Sequence, residues 1–489
     1  MSAETLLKGF FVLIYSGIFA WVVFSRFDSE IGEESGDSDH QKHQPYLPAM
    51  LLPVSLVVII AIAVPVMGWK ETIQAVFSSY ICIFLHISLY YLVLMLLLPL
   101  LRRRISSRAC AMLWIIPNYL YITQQSAMQV SRPRFVIRVP GNGIWIILGI
   151  WLVGFILVLG WKILQHLLFR RRILRDARPV TDPETLALWT EALDEAWVKK
   201  RKFKLVISPA VSTPLSIGFF NRSIRVVLPE QLYSPSELKL IFRHEIIHIC
   251  REDSSNKFFL VFCTAMCWFN PLMWIAMRRS ADDLELSCDE TALLDADEET
   301  RLKYANLLLR TAGDEKGFTT CLSATASALR YRLKRVMAPG KVTSGALIVG
   351  LAFFVLCMTC GHVALAYGGS TGAEVIYQSQ DTSLYSVRHI STDDDEYNTV
   401  YGFPDEAALH EYLAGLTMTQ ITGNFYFSEY EREYTFIFDT PQGTLGVYLT
   451  DHAIRLTPLY DRDRESITYY LPEGIDWAYF DTLVPPARP

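Results

Sequence analysis

The stretch His244-Glu245-Ile246-Ile247-His248 decides how this chain is interpreted, and it lies within an apolar run, residues 238–250. Residues four apart share one face of a helix, so both imidazoles can bind one metal ion from the same side. Zinc accepts two imidazoles in this geometry, needs a third protein ligand and leaves its fourth position to water. Glu245 would then lie beside the metal, where a carboxylate can take a proton from that water.

Two helix start signals accompany this motif. Ser234-Pro235-Ser236-Glu237 combines a capping serine, a proline at the first helical position and the glutamate of a capping box. The metal helix is therefore predicted to begin there. Downstream, Asn270-Pro271 is a start signal of the same kind and opens a second helix, predicted over residues 271–294.

The second helix supplies the candidate third ligand. Glu285 follows His248 by 37 residues and reaches the metal if the two helices pack side by side. Asp289 lies four residues further on the same face, where a carboxylate can orient a ligand imidazole through its outer nitrogen. The alternative is that both belong to a solvated acidic face, because three more acidic residues lie within residues 282–290.

The chemistry that these residues suit is the hydrolysis of a peptide bond. The metal polarises the carbonyl, and Glu245 takes a proton from water and later gives it to the leaving amine. The oxyanion of the transition state also needs a stabilising group. Tyr304 or Arg301, on the next helical segment, is the candidate, chosen without a spacing rule.

The composition predicts membrane spans. The chain has 489 residues, too many for one ordinary domain, of which 51% are hydrophobic, and its mean hydropathy is +0.24. The candidate spans are residues 6–24, 50–67, a part of 73–101, the short and weak 109–122, 144–168 and 346–366. The first lacks the basic start and cleavage site of a signal peptide, so we expect a membrane helix. The acidic loop after it, residues 25–47, is predicted to be disordered.

The distribution of Lys and Arg predicts the orientation. Arginine clusters follow two of the spans, at residues 102–104 and 170–172, and a basic cluster at residues 330–341 precedes the last span. All three fall on the cytoplasmic side if residues 109–122 cross the membrane, although Arg132, Arg134 and Arg138 then lie in an outside loop. We therefore expect both termini outside and the His-Glu-Ile-Ile-His region in the cytoplasm.

Residues 170–341 are predicted to form a soluble α+β unit. A helix is expected over residues 182–200, and strands over residues 203–208 and 223–228. The second strand lies just upstream of the metal helix and could form the edge along which an extended peptide lies, because backbone pairing holds any sequence in an extended form. An ordinary core strand is the equal alternative.

Residues 367–489 are predicted to form a small acidic domain. They hold 20 Asp or Glu against 6 Arg and no Lys, a net charge of about −14, and none of the nine cysteines. A short helix is expected over residues 404–416, with strands over residues 434–438, 444–450 and 453–457. The charge could attract a cationic peptide or a cation, or it could only keep the domain soluble.

Several motifs, in this order, resemble the BlaR/MecR-type membrane metallopeptidases. They are Thr213-Pro214-Leu215-Ser216-Ile217-Gly218, Val227-Leu228-Pro229-Glu230, the His-Glu-Ile-Ile-His motif with Cys250-Arg251-Glu252-Asp253, Trp268-Phe269-Asn270-Pro271-Leu272, and Glu285-Leu286-Ser287-Cys288-Asp289-Glu290. The resemblance covers about residues 97–366. It implies that the two histidines of the motif and Glu285 are zinc ligands and that Glu245 is the catalytic base. It also implies that Asp289 supports the site and that Asp253 helps to hold the metal helix.

The resemblance and the composition together predict the fold class. We expect a multi-pass α-helical membrane protein with a cytoplasmic α+β, zincin-like (gluzincin) metalloprotease domain and a small α/β extracytoplasmic C-terminal domain. The expected parts are an N-terminal transmembrane region of about five helices (residues 1–168), the metalloprotease domain (169–342), a transmembrane helix (343–366) and a C-terminal candidate sensor domain (367–489). The last part has no Ser-x-x-Lys nucleophile motif, so acylation by a β-lactam is not expected.

The resemblance implies a zinc-dependent endopeptidase of the bacterial cell membrane. An outside signal would lead to cleavage of the protein itself or of a cytoplasmic winged-helix repressor. One alternative is a housekeeping protease that degrades damaged membrane proteins, and another is a non-catalytic receptor with a closed, structural zinc site. The expected partners are the lipid bilayer and a protein substrate, with no direct contact to nucleic acid, and a homodimer is left open.

Overall fold

The structure is a computed structural model. It describes residues 9–21, 51–123, 135–139, 143–196, 203–218, 223–251, 253–294, 296–312, 326–338, 343–359, 363–392, 405–421, 432–459 and 466–484. The chain divides into two compact units. The first unit comprises Met1–Ile62, Phe84–Ile122 and Leu152–Met358, and the second comprises Ala63–Ile83, Thr123–Trp151 and Thr359–Pro489.

The N-terminal third of the described chain is helical apart from one strand. In chain order its elements are α1 (Gly9–Trp21), α2 (Leu51–Met67), α3 (Trp69–Leu101), α4 (Ser107–Ile115), α5 (Leu120–Thr123), β1 (Phe135–Val139) and α6 (Gly143–Arg175). Among the described residues, two helical stretches are long and apolar enough to cross a membrane, Ile83–Leu101 and Trp145–Arg175. The helices Gly9–Trp21, Leu56–Val66 and Ala346–Thr359 are apolar but shorter. The weak span predicted at residues 109–122 is divided between α4, a 3-10 turn (Ile116–Tyr119) and α5.

The middle of the chain alternates short strands and helices. Its elements are β2 (Arg178–Pro179), α7 (Pro183–Glu195), β3 (Lys204–Ile207), β4 (Leu215–Ile217), β5 (Arg225–Leu228), α8 (Pro235–Cys250), α9 (Asp253–Met266), α10 (Pro271–Ala292), α11 (Glu298–Ala312), α12 (Ala326–Met337) and α13 (Ala346–Thr359). Ser234 caps α8 and forms the predicted capping box with Glu237, and Asn270 caps α10 through its side chain. Both predicted helix starts are confirmed.

The four strands of the first unit form one sheet in the order β2-β3-β5-β4. β3 and β5 are parallel, and β4 pairs with β5 in the antiparallel direction. The edge position proposed for residues 223–228 is therefore wrong, because β5 has a neighbour on each side and is a core strand. The edge next to it is β4.

The helix that carries the metal motif packs on this sheet through a hydrophobic core. Trp189 of α7, Phe242 of α8 and Val226 of β5 are buried together, with the two aromatic rings 5.1 Å apart. Burying a side chain of this size contributes about 1.5–3 kcal/mol. The apolar face of α8 is thus fixed against the sheet, and its polar face is held toward α10.

The second unit contains an eight-stranded sheet in the order β1-β6-β8-β12-β11-β10-β9-β7. Besides β1, its elements are β6 (Val363–Thr371), α14 (Gly372–Val375), β7 (Ser386–Thr392), α15 (Glu406–Gly415), β8 (Thr417–Ile421), β9 (Glu433–Thr440), β10 (Gly443–Thr450), β11 (Ala453–Pro458), β12 (Ile467–Tyr470) and α16 (Trp477–Leu483). The predicted helix corresponds to α15, and the three predicted strands correspond to β9, β10 and β11. Phe436, Phe438 and Phe480 lie in its core.

Five strands of this sheet, β1, β6, β7, β8 and β12, were not predicted from the sequence, and β1 comes from the most distant part of the chain. β1, from the segment before α6, pairs in parallel with β6, from Phe135 opposite Val363 to Val139 opposite Tyr367. The sheet therefore unites a short segment of the N-terminal region with the C-terminal residues.

Candidate metal centre

The two histidines of α8 point their outer ring nitrogens at each other. The Nε2 atoms of His244 and His248 are 3.1 Å apart, because residues four apart lie one above the other on a helix. Each ring holds its Nδ1 toward a partner on the other side. The Nε2 atoms are thus left for a shared ligand.

Glu285 of α10 brings a carboxylate to the same point. Its Oε2 lies 3.7 Å from Nε2 of His244 and 3.5 Å from Nε2 of His248. Ligands about 2.0–2.1 Å from a tetrahedral zinc ion are about 3.3 Å from one another. The three atoms therefore fit one zinc ion. Burial disfavours the carboxylate, yet His248 and Lys257, whose Nζ is 3.4 Å from Oε1, hold the pKa of Glu285 well below its ordinary value.

Cys288, one turn after Glu285, competes for the role of third ligand. Its thiol and the two imidazoles offer ligand atoms that all lie within 4.8 Å of one another. Glu285 is the candidate that we favour for the third position, because its Oε2 lies 3.7 and 3.5 Å from the two Nε2 atoms, whereas the Sγ of Cys288 contacts the backbone carbonyl of His244 at 3.5 Å. The imidazoles, acting against burial, lower the pKa of the Cys288 thiol.

Glu245 directly follows His244 on α8 and is buried, with 6% of its surface exposed. A carboxylate there can hold a proton taken from a water molecule at the site.

Asp253, the first residue of α9, holds His248. Its Oδ2 lies 2.6 Å from Nδ1 of His248. The pKa of Asp253 is lowered although burial acts in the opposite direction, since the bond to His248 and the charges of Arg251 and Lys257 favour the carboxylate. The carboxylate accepts a hydrogen bond from the Nδ1–H group, so the Nε2 of His248 keeps its lone pair for a metal.

His244 is held by a longer chain of polar groups. The hydroxyl of Tyr304 on α11 donates to Oδ1 of Asp289 at 2.6 Å and lies 3.0 Å from Nδ1 of His244. The hydroxyl oxygen of Tyr304 can therefore accept a hydrogen bond from the Nδ1–H group of His244. Asp289 in turn accepts two bonds from Arg332 on α12, at 2.6 and 2.8 Å.

The structure places the two candidate oxyanion groups away from the metal-facing side. Tyr304 contacts the Nδ1 side of His244, opposite to Nε2. Arg301 donates to the backbone carbonyls of Leu293, Ala296 and Val336. Tyr304 is thus placed to orient the imidazole of His244. Arg301 is placed to satisfy backbone carbonyls near the C-terminal ends of α10 and α12.

Sequence reasoning missed Cys288 as a candidate ligand, and it missed two charged residues of this centre. Arg332 belongs to a basic cluster that was interpreted only as a sign of membrane orientation, and Lys257 lies in an apolar helix without a motif. Neither has a fixed spacing from the histidines, so the only available signal was the need of the buried carboxylates for counter-charges.

Comparison with known proteins identifies the class of protein that this fold and site define. The profile of the family described as BlaR1 peptidase M56 matches residues 55–336, more than half of the chain, and the chain belongs to this family. The predicted BlaR/MecR-type resemblance is confirmed. The regulatory protein BlaR1 of Bacillus licheniformis is 23% identical over 291 residues, which are 59% of this chain and 45% of that protein. The chain thus matches less than half the length of that relative.

Proposed function

We propose that this protein is a membrane-bound, zinc-dependent endopeptidase that converts an extracytoplasmic stimulus into cleavage of itself or of a cytoplasmic repressor. One observation carries the proposal. Two Nε2 lone pairs and the Oε2 of Glu285 lie within 3.7 Å of one another. Three such acceptors repel one another unless a proton or a metal cation lies between them, and a metal cation is the group that all three can bind at once. Membership of a peptidase family supports the same reading.

The chain's own groups then have separate roles. Bound zinc would polarise a peptide carbonyl and lower the pKa of a water molecule. Glu245 accepts the proton of the attacking water on its carboxylate and passes it to the leaving amine. Asp253 and Tyr304 fix the two imidazoles, so that their Nε2 atoms do not turn away from the site.

We assign β4 as the strand that receives the substrate. It is the edge of the four-stranded sheet beside β5, and α8 follows β5 in the chain. An extended peptide can add to such an edge by backbone pairing, which tolerates many sequences. This role replaces the one that the sequence suggested for residues 223–228.

The membrane arrangement is part of the proposal. Ile83–Leu101 and Trp145–Arg175 are taken as spans, and the shorter apolar helices as further spans of a multi-pass protein. The shared sheet supports this arrangement, because β1 before α6 and β6 after α13 must lie on the same side of the bilayer. By the Lys/Arg bias that side is the outside, and the peptidase region is cytoplasmic.

The test is Glu245→Gln in the full-length protein in membranes. We expect zinc content to be retained and cleavage to fall by about 10²–10⁴-fold, the usual contribution of a general base. Glu237→Gln, a change at the half-buried capping glutamate of the same helix, is the control. Undiminished cleavage in Glu245→Gln would rule out the mechanism.

Cys288 favours a second candidate, a closed structural zinc site without catalysis. Four protein ligands leave no place for water, and Cys288 lies within reach of both imidazoles. Cys288→Ser separates the two functions. A large loss of zinc affinity, from a wild-type protein that shows no cleavage, would support the closed site, whereas retained zinc and retained cleavage support the open, catalytic one.

A further inference from the structure

The turn between α9 and α10 lies among the apolar helices of the first unit. A Cβ atom placed on Gly154 of α6 would overlap the indole ring of Trp268. Asn270, at the start of α10, is buried and donates a hydrogen bond of 2.8 Å to the hydroxyl of Ser88 in α3. The turn is therefore packed between the two helices that are long enough to span a membrane.

From this turn α10 follows α6 in the same direction. Trp268 lies at Gly154, and the ring of Trp274 lies 5.6 Å from the Nζ of Lys162. The contacts advance by eight residues along α6 and by six along this segment, which is about 12 Å and 9 Å at the rise of a helix. The first turns of α10 thus cover a stretch of α6 that begins well inside its apolar part.

The outer face of the turn exposes large apolar side chains and then charges. Phe269 is 49% exposed and Ile275 is 42% exposed, and Arg278 and Arg279 follow on the exposed surface about one turn later. On α6, the exposed Ile156 and Leu157 lie next to the level of Gly154. Apolar side chains that give way to arginines are typical of a helix that leaves the hydrocarbon layer for the interface.

We propose that the α9–α10 turn is a re-entrant segment immersed in the hydrocarbon layer, with Phe269 and Ile275 against lipid acyl chains. The inference rests on the proposed membrane spans α3 and α6. The polar group of Asn270 is tolerated at this depth because Ser88 accepts its hydrogen bond. The continuous lipid-facing surface of α6 and the arginines below identify acyl chains as the occupant.

This placement fixes the depth of the metal centre. Gly154 lies nine residues after Trp145, so Trp268 is about 14 Å inside a hydrocarbon layer that is about 30 Å thick. Glu285 lies 17 residues after Trp268, about 26 Å along the chain direction of α10. The metal centre then lies about 10 Å beyond the inner boundary of the layer.

The experiment is photo-crosslinking of the full-length protein in phosphatidylcholine–phosphatidylglycerol vesicles. Phe269→p-benzoylphenylalanine is expected to gain the mass of one phospholipid after illumination. The same substitution at Leu232, 95% exposed on the peptidase region, is the aqueous control, and that at Ile147 reports the span α6.

The outcomes are distinguishable. Lipid adducts at Phe269 and Ile147 but not at Leu232 support the inference. An adduct at Ile147 alone overturns the re-entrant turn and leaves the proposed span and function standing. Absence of an adduct at both positions contradicts the span itself, and a covalent dimer through Phe269 overturns the inference in favour of a second copy of the chain.

A second measurement tests the packing of the turn. Gly154→Ala is expected to lower the midpoint of thermal unfolding in detergent and to reduce the lipid adduct at Phe269, because the new methyl group displaces Trp268. Gly149→Ala and Gly160→Ala are matched controls on the same helix, since an added Cβ meets nothing within 4 Å at either position. Equal effects of the three substitutions would contradict the packing.

Discussion

The two units each hold an arginine that makes a paired bond to an aspartate, and they use it differently. In the first unit, Arg332 binds Asp289 at 2.6 and 2.8 Å, with side chains 15% and 1% exposed. In the second unit, Arg388 binds Asp439 at 3.0 and 2.6 Å, with side chains 59% and 41% exposed. A buried pair must be complete, because a lone buried charge is costly, whereas solvent screens an exposed pair. The Arg332–Asp289 pair is thus a buried part of the candidate metal centre, whereas the Arg388–Asp439 pair is exposed to solvent.

The largest effect is expected when a charge of the first unit binds metal directly. Glu285→Ala should remove zinc from the purified protein and abolish cleavage, a greater loss than the about 10–100-fold caused by loss of an outer partner of a ligand. Metal analysis of the full-length protein measures it, with Asp282→Ala on the same helix as control. Full zinc content in Glu285→Ala would contradict the proposal that Glu285 is the third metal ligand.

The second-largest effect is expected when the buried Arg332–Asp289 pair is broken. Arg332→Ala leaves Asp289 without its guanidinium and is expected to lower the free energy of unfolding by about 3–5 kcal/mol. Denaturant titration in detergent measures the change. A loss below 1 kcal/mol would show that Asp289 is satisfied by Tyr304 alone.

The partners of the two imidazoles should differ in a graded way. Asp253→Asn should weaken zinc binding by about 10–100-fold, because the carboxylate is the group that accepts from His248. Tyr304→Phe should cost less, since Oδ1 of Asp289 already lies 3.4 Å from Nδ1 of His244 and can take over. Competition with a zinc chelator measures both affinities. The reverse order would mean that the tyrosine, not the carboxylate, sets the orientation.

The exposed pair should give the smallest effect. Arg388→Ala is expected to change the free energy of unfolding by about 0.2–1 kcal/mol, and less at high salt. The same titration as for Arg332→Ala measures it, so the two substitutions form a matched set. A loss as large as that of Arg332→Ala would show that exposure does not separate the pairs.

The same contrast explains how much could be predicted from the sequence. The helix starts at Ser234 and Asn270 were predictable because a cap depends on a few adjacent residues. The histidines and Glu285 were predictable because their residue types are few and the spacing on α8 is fixed by the helix. Family membership followed from several such local motifs in order.

The remaining features depend on contacts between distant segments. Arg332 and Tyr304 reach Asp289 from two other helices, and no spacing rule connects them. β1 is a five-residue strand whose partner begins more than 200 residues later, so its pattern alone does not show what it pairs with. The choice between an edge and a core strand for residues 223–228 stayed open for the same reason, since strand order is decided by the whole sheet.

The parallel pairing of β1 with β6 connects the chain segment that leads into α6 with the segment that follows α13. Three residues separate the end of β1 from the start of α6, and three residues separate the end of α13 from the start of β6. A slip of one residue would turn every side chain of the strand to the opposite face, so only steps of two residues, about 6.6 Å, preserve the pattern. A smaller displacement of the two paired strands therefore moves the start of α6 and the end of α13 together.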